Sequence, residues 1–216
     1  MDQQRNEWND IYRKTGSGKP VCDDWLDQFE SVLALSKDMA IIDLGCGFGN
    51  DTLYLTEKQY RVISCDYSEE ALNRLKHFIK EPDTRLFDML GGLPFEDESV
   101  RVVIADLSLH YFSWEDTMKI IRDISRVLVN GGYLLCRVNS TKDHHYGAGQ
   151  GTQVEPNYYH VNGKYKRFFD QPAIERLFED GWVVKHLAEC EMNRYQETKI
   201  VWEVLIQNDK DQVHEG

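Results

Sequence analysis

The sequence predicts a doubly wound α/β domain, built on a seven-stranded and mostly parallel sheet whose last strand is antiparallel. Short β-branched runs alternate with segments of helical periodicity, which is typical of βαβ units. The length of 216 residues suits one domain with its own core. About ten residues separate the last two apolar runs, which is too few for a helical crossover, so these two strands are expected to pair antiparallel.

Seven aliphatic runs are dense enough to form strands that are buried on both faces. In chain order they cover residues 39–44, 61–65, 84–87, 100–105, 133–138, 182–189 and 199–207.

Capping residues mark the predicted helix starts between the strands. Ser113 is followed three residues later by Asp116, and apolar residues then recur at helical spacing until Asn130-Gly131-Gly132 ends the run. Ser68 and Asp170 are predicted to cap two more helices in the same way.

The two ends of the chain lie outside this alternation. Two helices are predicted ahead of the sheet, over residues 3–12 and 23–35, and the polar tail 208–216 is predicted to be disordered. The domain is therefore expected to span residues 1–207, with residues 1–36 forming an N-terminal helical segment.

Composition limits the possible partners. With 25 Lys and Arg against 37 Asp and Glu, the formal charge of −12 repels nucleic acids and anionic membranes, so we expect a small-molecule ligand. No apolar stretch reads as a signal peptide or a membrane span, so a cytoplasmic protein is expected. The five scattered cysteines predict reduced thiols and no zinc site.

Three glycines spaced two apart, Gly45, Gly47 and Gly49, follow the first predicted strand and precede a helix. Glycine lets the backbone turn sharply and approach a ligand with no Cβ in the way. Asp66 ends the next strand, 21 residues after Gly45, where a carboxylate can accept hydrogen bonds from both hydroxyls of a ribose. Together these features predict a nucleotide-like ligand.

The segment Asp43-Leu-Gly-Cys-Gly-Phe-Gly49 resembles motif I of the class I S-adenosylmethionine-dependent methyltransferases. Its G-x-G-x-G spacing departs from the dinucleotide pattern G-x-G-x-x-G, because Asn50 stands at the position after Gly49. The resemblance spans roughly residues 39–139 and implies a Rossmann-like methyltransferase fold with S-adenosylmethionine as cofactor.

Specific cofactor contacts follow from the resemblance. Asp88 is similar in position to the acid that meets the adenine amino group, and residues 105–111 match the segment under the methionine part of the cofactor. The residues that the resemblance assigns to the cofactor are Asp43, Gly45, Cys46, Gly47, Asp66, Tyr67, Asp88, Met89, Asp106 and Leu107.

A narrower resemblance concerns the N-terminus. Trp8-Asn-Asp-Ile-Tyr12, followed by Trp25, is similar to the N-terminal pattern of the tellurite-resistance and thiopurine methyltransferase group. It implies that Trp8 and Tyr12 form a flap that closes on the cofactor, and it slightly favours thiol, selenol or tellurite acceptors. Ordinary packing of an amphipathic helix is an equally weighted interpretation.

His110 is the first candidate for a general base, because it follows the fourth strand at the carboxyl edge of the sheet and histidine titrates near neutrality. A structural histidine is the alternative. Because a sulfonium methyl is already activated, the protein has mainly to align the acceptor and exclude water.

The connection over residues 139–166 is long for an α/β fold and rich in glycine, histidine and tyrosine. It is predicted to form a lid over a substrate pocket, and no metal is expected because the histidines lack accompanying carboxylates or cysteines at ligand spacing. The predicted substrate contacts are Tyr111, Trp114, His144, Tyr146 and Tyr158. Arg137 and Arg167 are interpreted as solvated surface residues rather than partners of an anionic substrate.

Several functions stay open. Methylation of a small molecule is the leading hypothesis, ahead of methylation of transfer RNA or protein, of a non-catalytic S-adenosylmethionine-binding module, and of a nicotinamide dehydrogenase. The segment Asp106-Leu-Ser-Leu109 lacks the Asn/Asp-Pro-Pro-aromatic signature of the DNA adenine and glutamine methyltransferases, so methylation of that kind is not expected.

Overall fold

The computed structural model describes residues 3–14 and 18–212. Ten strands lie in these ranges, seven in a central sheet and three in a small separate sheet. They are β1 (Ile41–Leu44), β2 (Val62–Asp66), β3 (Asp83–Leu86), β4 (Val100–Asp106), β5 (Leu128–Asn139), β6 (Thr152–Glu155), β7 (Tyr158–Val161), β8 (Lys164–Arg167), β9 (Trp182–Met192) and β10 (Lys199–Asn208).

The central sheet has the order β3-β2-β1-β4-β5-β10-β9. The strands from β3 to β5 pair in parallel, and β10 runs antiparallel between β5 and β9. The predicted seven-stranded, mostly parallel sheet is therefore confirmed, as is the antiparallel pairing of the last two strands. The order reverses between β1 and β4, which is where doubly wound sheets bind ligands beyond the carboxyl ends of their strands.

Six α-helices accompany the sheet within the described residues. They are α1 (Gln3–Lys14), α2 (Glu30–Leu33), α3 (Asn50–Glu57), α4 (Glu69–Leu75), α5 (Trp114–Val127) and α6 (Gln171–Leu177). The three predicted caps are confirmed, since the side chains of Ser68, Ser113 and Asp170 each accept a hydrogen bond from the backbone three residues on.

Both faces of the central sheet are covered, as alternation along the strands requires. Ile42 of β1 and Val103 of β4 belong to the larger apolar cluster, with α5 and α6. Their neighbours Ile41 and Val102 point to the other face and pack with Trp25. The two clusters fix the sheet as a rigid base for the loops at its carboxyl edge.

The helix predicted over residues 23–35 is wrong as a single element. One turn of α-helix, α2, lies between two 3₁₀ turns, Asp27–Phe29 and Ala34–Ser36. Asp24 has a φ of 55°, in the left-handed region, so no right-handed helix can run through it.

The predicted disordered tail begins too early. Asn208 ends β10, and its side-chain amide oxygen accepts a hydrogen bond of 2.8 Å from the Ser125 hydroxyl of α5. A 3₁₀ turn follows at Lys210–Gln212, while residues 213–216 lie outside the described residues.

The connection predicted as a glycine-rich lid contains an antiparallel three-stranded sheet, β6-β7-β8. Asn162 and Gly163, between β7 and β8, both have positive φ, of 52° and 76°. This is the backbone of a two-residue hairpin turn, for which Asn-Gly is the favoured sequence. The segment is thus a folded meander, which we call the lid sheet.

No helix within residues 3–14 and 18–212 combines the length and the apolar character that a bilayer crossing requires.

Candidate functional site

A cavity of about 460 Å³ opens at the carboxyl ends of β1, β2 and β4. Residues of α1, the lid sheet and the β9–β10 connection complete its walls. All twelve residues that the sequence assigned to the cofactor line this cavity, namely Trp8, Tyr12, Asp43, Gly45, Cys46, Gly47, Asp66, Tyr67, Asp88, Met89, Asp106 and Leu107. The sequence prediction therefore brings together residues that meet around one space.

The glycine loop starts where β1 ends. The amides of Gly45 and Cys46 both donate to the Cys65 carbonyl, at 2.8 and 2.9 Å, which ties the loop to β2. Gly45 has a φ of 79°, and a Cβ there would lie 2.4 Å from the Ser108 Cβ. The loop therefore requires glycine at this position both for its conformation and for its approach to β4.

Asp66 stands at the end of β2 and is almost fully buried. Its carboxylate accepts the Gly47 amide at 2.9 Å and the Ser68 amide at 2.8 Å. Burial raises the pKa of Asp66 to about 6, although the backbone hydrogen bonds work against the rise. Each carboxylate oxygen accepts more than one hydrogen bond, so capacity remains for hydroxyl groups of a ligand in the cavity.

Asp43 lies beneath the loop, on β1. It is fully buried and accepts a hydrogen bond of 2.5 Å from the Thr52 hydroxyl, which also lies 3.0 Å from the Ser64 hydroxyl. Burial raises the pKa of Asp43, and the nearby carboxylates of Asp106 and Asp66 raise it further. Positive charge in the cavity would favour its ionised form.

Asp106, at the end of β4, belongs to a buried network of two carboxylates and two guanidinium groups. Arg137 binds it through two contacts of 2.7 and 2.9 Å, and Arg194 binds it at 2.6 Å. Asp23 bridges the same two arginines, at 2.8 Å to Arg137 and 2.9 Å to Arg194. Burial alone would raise the pKa of Asp106, but the two arginines outweigh it and hold the carboxylate ionised.

The prediction that Arg137 and Arg167 are solvated is wrong. Both side chains are buried, with 3% and 4% of their surface exposed. Arg167 ion-pairs with Glu155 and donates to the Phe112 carbonyl at 3.3 Å, and Glu155 also accepts the Trp114 amide at 3.0 Å. These contacts anchor the lid sheet to the start of α5.

His110 lines the cavity and is only 2% exposed. Its Nδ1 atom has no hydrogen-bond partner among the described residues. Burial lowers the pKa of His110 well below 6.5, and the positive charges of Lys199 and Lys166 lower it further. The expectation that this histidine titrates near neutrality is therefore wrong; the imidazole beside the cavity is neutral.

The N-terminal helix α1 lies across the glycine loop. A Cβ on Gly47 would lie 2.8 Å from the Tyr12 hydroxyl, and the Tyr12 ring packs on Phe48 at 4.9 Å between centroids. Trp8 meets the edge of Tyr111 at 5.0 Å. Trp8 and Tyr12 therefore pack beside the glycine loop and the cavity, and their closing on a cofactor stays a prediction.

Of the five predicted substrate contacts, Tyr111, Tyr146 and Tyr158 line the cavity, and Trp114 and His144 do not. Trp114 packs instead under Arg176, whose guanidinium lies 3.9 Å from the centroid of the indole ring. His144 lies in a 3₁₀ turn, with Nδ1 at 3.3 Å from the Ala148 carbonyl. Within the described ranges, no three His, Cys, Asp or Glu side chains are placed to hold a metal ion.

Six further lining residues are not among the sequence predictions; five of them come from late segments that fold back over the sheet, while Ser108 directly follows β4. The six residues are Ser108, Tyr165, Lys166, Arg194, Tyr195 and Lys199. Arg194 and Tyr195 lie in the β9–β10 connection, which the sequence marked only as a short turn. The guanidinium group of Arg194 lies beside Asp106, and its Nε atom is buried without an acceptor among the described residues.

Comparison with known proteins agrees with this geometry. Residues 42–136 match a family model described as a methyltransferase domain. A putative methyltransferase of Bacillus subtilis, YqeM, is 32% identical over 135 residues, which cover 61% of this chain and 53% of that protein. The chain spans about half the length of curated relatives of this kind.

Two solved structures show the same fold. An S-adenosylmethionine-dependent methyltransferase of Methanosarcina mazei matches with a TM-score of 0.71 and 16% identity, over 84% of this chain and 97% of that one. The 1,6-didemethyltoxoflavin-N1-methyltransferase of Burkholderia thailandensis, solved with bound 1,6-didemethyltoxoflavin and S-adenosylhomocysteine, matches with a TM-score of 0.64 and 13% identity, over 96% of this chain and 85% of that one.

Proposed function

We propose that this chain is a class I S-adenosylmethionine-dependent methyltransferase that transfers the methyl group of its cofactor to a small molecule bound beside His110, as its similarity to a methyltransferase domain and to methyltransferases of the same fold supports. One observation carries the proposal. A single cavity, beneath the flap and the lid sheet, is lined by the glycine loop, by Asp66 and by the buried imidazole of His110.

The residues present fit S-adenosylmethionine. The loop from Gly45 to Gly47 leaves room for close approach, and Asp66 can accept hydrogen bonds from the ribose hydroxyls. Asp88, exposed at the rim with its carboxylate on the Leu90 amide at 2.9 Å, would meet the adenine amino group. The guanidinium group of Arg194, which lines the cavity, would bind the carboxylate of the methionine part.

When bound, the cofactor supplies an activated sulfonium methyl group, which a nucleophile displaces in line. The chain has to hold the acceptor on that line and keep water out. Aromatic rings of Trp8, Tyr12 and Tyr111 form much of the cover over the site and can also stabilise positive charge through their faces. No covalent intermediate with the protein is required.

The state of His110 bears on the nature of the acceptor. A neutral imidazole of strongly lowered pKa accepts a hydrogen bond but is a weak base, so it suits acceptors that lose a proton readily. Thiols ionise more readily than phenols or amines, and a thiolate is intrinsically nucleophilic. Together with the N-terminal sequence pattern, this supports a thiol or chalcogen acceptor.

Calorimetric titration tests the proposal. The protein is titrated with S-adenosylmethionine, S-adenosylhomocysteine and NAD, alongside Asp66→Asn and the surface control Asp38→Asn. We expect both adenosyl ligands to bind, Asp66→Asn to weaken them by about 1.5 to 3 kcal/mol and Asp38→Asn to leave them unchanged. Binding of NAD alone would refute the proposal, and adenosyl binding without turnover on any thiol would favour a non-catalytic binding module.

A further inference from the structure

Two walls of the cavity differ in charge. The wall formed by β1, β2 and the segment after β3 contributes the carboxylates of Asp43, Asp66 and Asp88. The wall formed by the lid sheet and the start of β10 contributes the ammonium groups of Lys166 and Lys199. In a protein of formal charge −12, a cavity wall with two buried or half-buried lysines is unexpected.

Lys199 is already neutralised. Its Nζ atom lies 2.6 Å from a carboxylate oxygen of Asp143, which is itself fully enclosed, and 4.4 Å from the centroid of the Tyr146 ring. Arg194, which also lines the cavity, and the neighbouring Arg137 are likewise balanced by the carboxylates of Asp23 and Asp106. Lys199 and the two arginines therefore each have a carboxylate of the chain as counter-ion and need no anionic ligand.

Lys166 is different. Its Nζ atom donates to the Tyr146 carbonyl at 3.3 Å, and within the described parts of the chain no carboxylate lies within ion-pairing distance of it. Burial lowers the pKa of Lys166, and Asp143 offsets this only in part. The cavity therefore contains one positive charge without a counter-ion, where charges of this kind are normally paired.

Two further observations place this charge at the proposed site of the methyl acceptor. Lys166 lines the same cavity as His110, and its positive charge contributes to lowering the pKa of that histidine. The rings of Tyr158 and Tyr165 also line the cavity, with centroids 5.7 Å apart and planes 29° from parallel. Flat, polarisable walls beside a charge suit a planar ligand.

We infer that the methyl acceptor is a planar small molecule with an acidic group, a carboxylate or a phosphate, that binds Lys166 while its reacting atom meets His110. This inference rests on the proposed function and specifies the substrate class of the same site. An anion at this position would give the half-buried ammonium group of Lys166 a charged hydrogen-bond partner in addition to the Tyr146 carbonyl.

Ligand binding to the S-adenosylhomocysteine complex tests the inference without knowledge of the natural acceptor. Ligand-observed NMR titrations compare benzoate and phenyl phosphate with neutral benzamide, which shares the ring. We expect at least one of the two anions to bind about tenfold more tightly than benzamide, since a hydrogen bond to a charged group contributes on that scale. The anion that binds more tightly identifies the acidic group.

Variants assign the effect to the residue. Lys166→Met should remove the preference for the anion, Lys166→Arg should keep most of it, and Lys142→Met, at an exposed lysine, should leave it unchanged. A substitution of Lys199 would be a poor test, because it would leave the Asp143 carboxylate buried and unpaired. Each variant is first titrated with S-adenosylhomocysteine, whose affinity should match that of the wild type.

The outcomes separate the two proposals. If S-adenosylhomocysteine does not bind the wild-type protein, the proposed function fails. If it binds, but neither anion is preferred over benzamide or the preference persists in Lys166→Met, the acidic-acceptor inference is overturned while the methyltransferase proposal stands.

Discussion

The hydroxyl of Tyr12 lies so close to Gly47 that a Cβ at the glycine would stand 2.8 Å from it. Gly47 has a φ of 50°, and its amide donates to Asp66, so one residue links the flap, the glycine loop and the acid at the end of β2. The N-terminal helix thus packs directly on the glycine loop through this contact.

Gly47→Ala should therefore displace the flap and weaken binding of S-adenosylhomocysteine by tenfold or more, with a loss of stability of about 1 kcal/mol from the left-handed backbone. Calorimetry below the unfolding temperature measures the affinity. Gly91→Ala is the matched control, because a Cβ at Gly91 meets nothing within 4 Å. Equal affinities in the two variants would show that the flap does not depend on this contact.

The pH dependence of cofactor binding should report Asp66. Its pKa of about 6 means that the carboxylate loses its charge as the pH falls through 6, so affinity for S-adenosylhomocysteine should fall up to about tenfold per pH unit below that value. The stability of the ligand-free protein should respond in the opposite sense. Because the folded pKa is raised above the unfolded value, Asp66 destabilises the fold above pH 6 and ceases to do so as it becomes protonated.

Titrations at several pH values, with stability measured by urea unfolding, check both signs. In Asp66→Asn the contribution of this group to both profiles should vanish. A profile that keeps its full slope in the variant would assign the titration to another carboxyl group. Asp43 is the first candidate, because burial raises its pKa as well.

How much of this site the sequence predicts depends on how local each feature is. The glycine loop, the caps at Ser68 and Ser113 and the acid at Asp66 are encoded within a few residues, and the structure has them where expected. The lid sheet was also encoded locally, by Asn162 and the following glycine, but the glycine-rich surroundings favoured a loop interpretation.

The charged network could not be predicted in the same way. Arg137 meets Asp23, which lies 114 residues away in sequence, and Arg194 meets the same carboxylate across 171 residues. An arginine alone in a sequence is best assigned to the surface, and only the packing of β5, the β9–β10 connection and the segment before α2 shows that both guanidinium groups are buried.

That network should make Asp106 sensitive to substitution. Asp106→Asn leaves two buried guanidinium groups facing one remaining carboxylate, so we expect a loss of about 3 kcal/mol or more in the free energy of unfolding. Asp97→Asn removes an exposed partner of Arg126 and should cost less than about 1 kcal/mol. Urea unfolding of both variants gives the comparison, and equal losses would contradict the burial of the network.

His110 should affect turnover without a titration near neutrality. Because the imidazole is neutral across the physiological range, the rate profile should show no limb near pH 6.5 that His110→Gln removes. His110→Ala should slow turnover by roughly a hundredfold while S-adenosylhomocysteine binding stays nearly intact. The exposed His145→Ala is the control, and an equal loss of binding and turnover in His110→Ala would indicate a structural role.

The lid sheet and the flap touch through Lys164 and Trp8, whose ammonium nitrogen and ring centroid are 3.0 Å apart. Burial lowers the pKa of Lys164 to about 8, so the cation is present at neutral pH and is lost above that value. A contact of this kind is worth about 0.5 to 2 kcal/mol.

Lys164→Met should therefore raise the KM for the acceptor by roughly threefold to thirtyfold at pH 7 and leave little difference from wild type at pH 9. Lys185→Met, at an exposed lysine of β9, should match the wild type at both values. Steady-state kinetics at the two pH values measure this effect on KM. An effect that does not depend on pH would show that the Lys164 cation does not hold the flap against the lid sheet.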